Sequence, residues 1–449
     1  MSVTSIQSAR ADDTTLITAR WIIPVIPRDT VLEHHTVVIA RGEIVALMPS
    51  SVALERYPAA PVINLPDHAL IPGLINLHTH AAMTLMRGLA DDLPLMPWLR
   101  DHIWPAESKV ASADFVRDGT LLACVEMLRG GVTCFNDMYF FPQATAHAAL
   151  QAGMRAAIGI IAVEFPSAYA SDAADYLRKG IAVRDAMRDE NLLSFCLAPH
   201  APYTVSDATF ERIATYAAEL DLPLHTHLHE TQDEIRDSLT QHRVRPLQRL
   251  KHIGLLGPNL IAVHAVHLTT DEIALLAEHG CHVAHCPTSN LKLASGLAPV
   301  QALLQAGVNV GLGTDSAASN NRLDMLAELR LTALLGKLGA SNAAAVPARQ
   351  ALEMATINAA RALGLDAKIG SLEKGKQADI TAINLSAPEL APCYQALSHI
   401  VYAAGREHVS HVWVDGVLRV NEGRLTGLDV DDITARAGFW RNKITQARA

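Results

Sequence analysis

Short apolar runs alternate with longer amphipathic stretches through the middle of the chain. Eight runs read as strands: Gly73–His80, Gly131–Met138, Ala156–Val163, Leu193–Pro199, Leu222–Leu228, Leu260–Val266, His282–His285 and Val308–Thr314. Between them lie segments with helical periodicity, among them Phe115–Arg129, Ala208–Leu220, Asp271–Glu278 and Leu323–Lys337. The strand runs are apolar almost throughout, as parallel strands covered on both faces must be. Eight strand–helix repeats predict an α/β fold, a (β/α)₈ barrel. An open doubly wound sheet is the alternative, but no GxGxxG follows the first strand.

The two ends of the chain look different. Leu16-Ile17, Trp21–Pro27, Thr36–Ala40 and Glu43–Leu47 are short β-like runs, punctuated by turns such as Arg41-Gly42. Ala378–Leu385, His411–Val414 and Val417–Val420 repeat the pattern around the turn Asp415-Gly416. Neither end has enough strands for a sheet of its own, so the two are expected to combine in a small β-sandwich domain. The predicted division is 1–70 and 371–449 for that domain, the latter with a terminal helix, and 71–370 for the barrel. The Ala-rich piece 339–348 reads as a helix–helix connection.

Composition narrows the class. Of 449 residues, 50% are hydrophobic and 18% charged, enough for a sizeable core. The net charge of −9 argues against nucleic acid or an anionic membrane as partner. No uncharged apolar stretch is long enough to span a bilayer. Met1 to Thr15 is polar and lacks the charged-then-apolar order of a signal peptide. Six cysteines are scattered without a CxxC, which reads as free thiols in a cytoplasmic protein.

Chemistry in such a barrel sits at the C-terminal strand ends. The first strand ends in His78 and His80, spaced i and i+2 and therefore on one face. With 21 histidines such a pair arises easily by chance. Other strand ends repeat the theme, however. The fourth ends Ala198-Pro199-His200-Ala201-Pro202-Tyr203 and the fifth runs through His225, His227, His229 and Glu230. The sixth carries His264 and His267, and the eighth ends Thr314-Asp315-Ser316. Such recurrence points to a divalent metal site.

This constellation resembles the amidohydrolase superfamily, through the HxH of the first strand, a His on the fifth, a His on the sixth and an Asp on the eighth. The resemblance implies His78, His80, His227 and Asp315 as metal ligands, with His264 beside the reacting water. His227 is favoured over its neighbours because Glu230 follows in a family HxxE element; His225 would lie deeper and His229 nearer the loop. The fourth strand has no Lys to bridge two ions, so one metal per chain is expected. Zn²⁺ suits the N/O donors, with Fe²⁺ or Mn²⁺ as alternatives. Asp315, aided by His264, would take the water proton and Glu230 would deliver one to the substrate. A helix-start acid is the structural alternative for Glu230.

The segment Met83 to Leu99, rich in Met, Leu and Trp, resembles the lid of the branch that holds the 5′-methylthioadenosine/S-adenosylhomocysteine deaminases, guanine deaminases and triazine hydrolases. Met83 and Trp98 would pack on a flat ring. Within that branch, Ile103-Trp104-Pro105-Ala106-Glu107 resembles the element whose Glu binds ribose hydroxyls. Similarly, His200 stands where a His reaches the nucleoside. Pro287 to Gly296 and Thr314 to Asn321 complete the likeness. The implied activity is deamination of an adenine nucleoside, 5′-methylthioadenosine foremost, with S-adenosylhomocysteine or adenosine as further substrates. In this chain the third strand lacks the Arg that would meet a homocysteine tail, and Phe165-Pro166 follows it. A guanine deaminase or triazine-type hydrolase is the rival reading, and a non-catalytic barrel the remote one. A homo-oligomer, dimer or tetramer, is expected.

Overall fold

The computed structural model describes residues 14–448, with side chains as far as 446; the polar stretch up to residue 13 lies outside the described residues. Four strands come first: β1 (Thr15–Ile22), β2 (Leu32–Ala40), β3 (Glu43–Pro49) and β4 (Val62–Pro72). The alternating region forms β5 (Leu74–Thr79), β6 (Val132–Asp137), β7 (Arg155–Ala162), β8 (Leu193–Pro199), β9 (Leu224–Leu228), β10 (Leu260–His264), β11 (His282–His285) and β12 (Asn309–Leu312). Then follow β13 (Ile380–Asn384), β14 (Val409–Val414), β15 (Val417–Asn421) and β16 (Arg424–Leu425).

Strands β5 to β12 pair in chain order, all parallel, with helices between them. Every residue of β5, β6 and β7 is buried, which is why their sequences are apolar without alternation. The ring closes where the chain leaves β12. Asp315 N–H donates to the His78 carbonyl (3.0 Å), and Asn76 both accepts from Thr314 N–H (2.9 Å) and donates to Thr314 Oγ1 (2.7 Å). Gly313 permits this approach, since a Cβ there would lie 2.8 Å from the His78 nitrogen. Polar side chains start the covering helices: Ser112 caps Ala113–Arg129, Ser206 caps Asp207–Leu220, and Thr269 forms a capping box with Glu272. The segment 340–347 joins two helices, as its composition suggests.

The two chain ends do build one β unit. Its hydrogen bonding runs through all eight strands as one mixed sheet, β16-β15-β14-β13-β4-β1-β2-β3, with the antiparallel β4–β13 pair joining the ends. One face closes over Ile17, Ile22, Val37, Ile44, Ile380 and Trp413. The sequence pattern does not announce β4, because Pro66-Asp67 imitates a turn. The strand accommodates them by a register shift opposite Ala19 and Trp21. The sheet attaches at the starts of β5, β6 and β7. Gly73 N–H donates to the Asp379 carbonyl, Thr381 Oγ1 donates to the Gly131 carbonyl, and buried Arg155 grips Asp379 through two nitrogens at 3.1 and 3.2 Å. That leaves the opposite, C-terminal rim of the barrel free. The terminal helix, Val430–Arg448, packs on Ala113–Arg129, where Trp440 Nε1 donates to Asp118 Oδ2 at 2.9 Å. Among the described residues no helix is long and apolar enough to cross a membrane.

Candidate metal centre and its cavity

The C-terminal strand ends bring His78, His80, His227 and Asp315 together; one donor atom from each lies within 4.8 Å of all the others. Nε2 of His78 and Nε2 of His80 each stand 3.3 Å from Asp315 Oδ1, and the His78 and His227 Nε2 atoms are 3.2 Å apart. Donor atoms converging this closely are the arrangement a bound cation would hold together.

Each ring is oriented from behind. His80 Nδ1 donates to the Met138 carbonyl (2.6 Å) and His227 Nδ1 to the His200 carbonyl (2.7 Å), which leaves both Nε2 atoms free to ligate. His78 Nδ1 faces Nε2 of His225 at 2.9 Å. Asp315 Oδ2 accepts from Ser289 Oγ (2.6 Å) and Ser319 Oγ (2.7 Å), so Oδ1 is the oxygen presented inward. Burial, helped by neighbouring histidines, pulls His78 down to about 4 and His227 well below the usual imidazole range. Burial also lowers His80, but the hydrogen bond and charge of Asp315 outweigh it and raise that ring. Burial alone would raise Asp315; hydrogen bonds from His78 and His80 hold it well below the carboxylate range. Three imidazole nitrogens and one carboxylate oxygen fit a divalent transition ion. Among the described residues this is the one such group, and β8 places no lysine beside it.

Glu230 and His264 complete the floor, with Glu230 Oε2 3.8 Å from His264 Nε2. Asn290 Oδ1 accepts from His264 Nδ1 (2.8 Å), which leaves His264 Nε2 unprotonated in the neutral ring. Burial raises the Glu230 carboxyl above the usual range. The helix Gln232–His242 is capped by Thr231, so Glu230 lies before the cap and is not a helix-start acid. His229, His264 and Asp315 all have left-handed backbone, φ +56°, +70° and +60°. Non-glycine residues bear that strain where tertiary contacts over-determine them, and active sites are where they cluster.

Above the floor opens a cavity of about 630 Å³. The lid residues Met83 and Trp98 line it and are themselves buried. Glu107 and His200 stand on its wall. Glu107 Oε1 accepts from Tyr139 OH at 2.6 Å; burial raises its carboxyl, against that hydrogen bond. Tyr139, Phe140, Phe165 and Tyr203 line the cavity as well. Tyr139 and Phe140 follow β6 directly, so the rule that strand ends bear function would have found them. The chain carries no signal of its own for the hydroxyl partners Ser289 and Ser319.

The structure settles the remaining histidines. His225 is the deeper layer beneath His78, as expected. His229 does not continue the face of His225 and His227: the strand ends at Leu228, and the left-handed turn sends its ring to accept from Leu247 N–H (3.0 Å). Likewise, His267 donates through Nε2 to the Ser295 carbonyl (2.7 Å) and does not line the cavity.

The profile of the amidohydrolase family matches residues 69–419. The chain is 50% identical to the 5-methylthioadenosine/S-adenosylhomocysteine deaminase of Teredinibacter turnerae, over 96% of this chain and 97% of that one. A zinc-bound adenosine deaminase structure from Xanthomonas campestris superposes with a TM-score of 0.95 at 48% identity, covering 96% of this chain and 98% of that one. A zinc complex of an atrazine chlorohydrolase from Arthrobacter aurescens superposes at 0.88 with 25% identity, covering 95% and 100%. A family match across most of the chain, with likeness running nearly its whole length, shows that the chain belongs to the amidohydrolase family.

Proposed function

We propose that the chain hydrolytically deaminates adenine nucleosides, 5′-methylthioadenosine foremost, giving 5′-methylthioinosine and ammonia in the reducing cytoplasm. The observation that carries this is the placing of Glu230 and His264 beside the four converging donors, under a cavity with a carboxylate on its wall. The names of the full-length relatives support the same chemistry. His78, His80, His227 and Asp315 would hold one divalent ion, for which we propose Zn²⁺, as in the Xanthomonas relative. Such an ion activates water near neutral pH. Asp315 takes the proton of the attacking water, and His264, with Nδ1 donating to Asn290, offers Nε2 to that water. Glu230, raised by burial, delivers a proton to the substrate as the amine leaves.

Glu107, with Oε1 engaged by Tyr139, keeps Oε2 for ribose hydroxyls. Glu107→Ala is therefore expected to weaken nucleosides by roughly 1.5–3 kcal/mol in kcat/KM, the scale of charged hydrogen bonds. A free-base substrate should lose much less; equal losses would assign Glu107 a structural role.

Among the described residues, the cavity lining contains no lysine and no arginine. Ile161 and Met83 line the cavity, whereas Ile158, Ile160 and Met86 turn into the packed core. A homocysteine tail would place a carboxylate and an ammonium there without a cationic partner, whereas a methylthio group only gains from apolar contact. The expected kcat/KM for 5′-methylthioadenosine exceeds that for S-adenosylhomocysteine by about 10- to 100-fold, corresponding to roughly 1–3 kcal/mol for the unpaired polar group. Assaying both on one metal-loaded preparation tests this. Equal or faster turnover of S-adenosylhomocysteine would overturn the tail preference while leaving the deaminase reading intact.

A further inference from the structure

Immediately beyond Glu230 the chain does something a helix start does not require. Glu234 is the third residue of the helix Gln232–His242, and its N–H is already capped by Thr231 Oγ1 at 3.2 Å. In an ordinary capping box the side chain at this position returns to the backbone N–H of the cap residue. Here it reaches further. Oε1 accepts from His229 N–H at 2.9 Å and Oε2 from Glu230 N–H at 2.8 Å. Two successive N–H groups next to a left-handed residue form an anion-binding nest, and His229, at φ +56°, provides that bend. The nest is filled by a carboxylate of the chain itself, and Glu234 is buried.

We infer that Glu234 is a positioning residue for the proton carrier: it fixes the peptide from which the Glu230 side chain departs. This rests on the proton-carrier reading of Glu230. Two carboxylate–amide bonds to adjacent peptides remove the freedom of a strained turn to rotate, and hence of the Glu230 carboxyl to leave its place 3.8 Å from His264 Nε2. The opposite side of the turn is held independently by the His229 ring at Leu247 N–H. Loss of the Glu234 clamp therefore loosens the turn without releasing it.

Glu234→Gln preserves the shape but replaces one acceptor oxygen by a donor nitrogen. In the metal-loaded enzyme it is expected to lower kcat for 5′-methylthioadenosine by about 10- to 100-fold, with KM and metal content unchanged. In a Glu230→Gln background the same change should cost less than about twofold, because the group it positions is already gone. Amide hydrogen exchange at residues 229 and 230 should quicken. An equal loss in both backgrounds would overturn the inference and leave Glu234 a general structural acid. So would faster exchange with kcat unchanged within about twofold. The single Glu230→Gln variant separates this failure from that of the underlying reading, since near-normal turnover there would remove the proton carrier itself.

Discussion

Glu230→Gln is expected to lower kcat by about 10²–10⁴-fold, with metal content unchanged. The size follows from what is lost. Glutamine has nearly the same shape but no transferable proton, and Glu230 is no metal donor in the cluster of His78, His80, His227 and Asp315. Burial already raises this carboxyl, so it can hold a proton nearer the working pH than an exposed acid can. Among the described residues His264 is the side chain in ion-pair range of it, at 3.8 Å, and its Nδ1 donates to Asn290. Measuring kcat and metal stoichiometry on the same sample is the check. Turnover within a few-fold of the parent would remove Glu230 from proton transfer.

Asp315→Ala is expected to have the other largest effect, abolishing tight metal binding and with it turnover, by at least about 10³-fold. Asp315 is the only anionic member of the donor set. Its removal leaves three neutral imidazoles to hold a dication, and frees the hydroxyls of Ser289 and Ser319 from the acceptor that orients them. The same logic sets the outcome of stripping the parent protein with a chelator: activity should vanish and return with about one equivalent of Zn²⁺ per chain. Elemental analysis of the active protein reads the stoichiometry. Two tightly held ions, both required, would contradict the single-site reading.

How much of this was legible in the chain depends on the physics of each part. The barrel strands were, because a parallel strand buried on both faces must be apolar from end to end, and β8 and β11 fall on the residues the pattern marks. β4 was not, because Pro66 reads as a break unless one knows that the neighbouring strand can shift register to receive it. His78, His80, His227 and Asp315 were marked by residue type at strand ends, and the structure brings them together. Periodicity specifies a face but not where the strand stops; His229, expected nearer the loop, lies past the strand end at Leu228 and turns its ring to Leu247 N–H. The partners that aim these groups, Asn290 behind His264, Tyr139 behind Glu107 and Glu234 beneath Glu230, come from distant elements or from a helix start. The sequence context of Asn290 and Glu234 gives no reason to single them out, whereas Tyr139 lies just past the end of β6, where strand ends bear function.

Deamination of an adenine nucleoside is read from the product formed from 5′-methylthioadenosine. The zinc-loaded protein should convert it to 5′-methylthioinosine with one ammonia released per nucleoside consumed, read by mass spectrometry and an ammonia assay on the same reaction. Unchanged 5′-methylthioadenosine and adenosine, with a full complement of bound metal and turnover instead of guanine or a chlorotriazine, would contradict it.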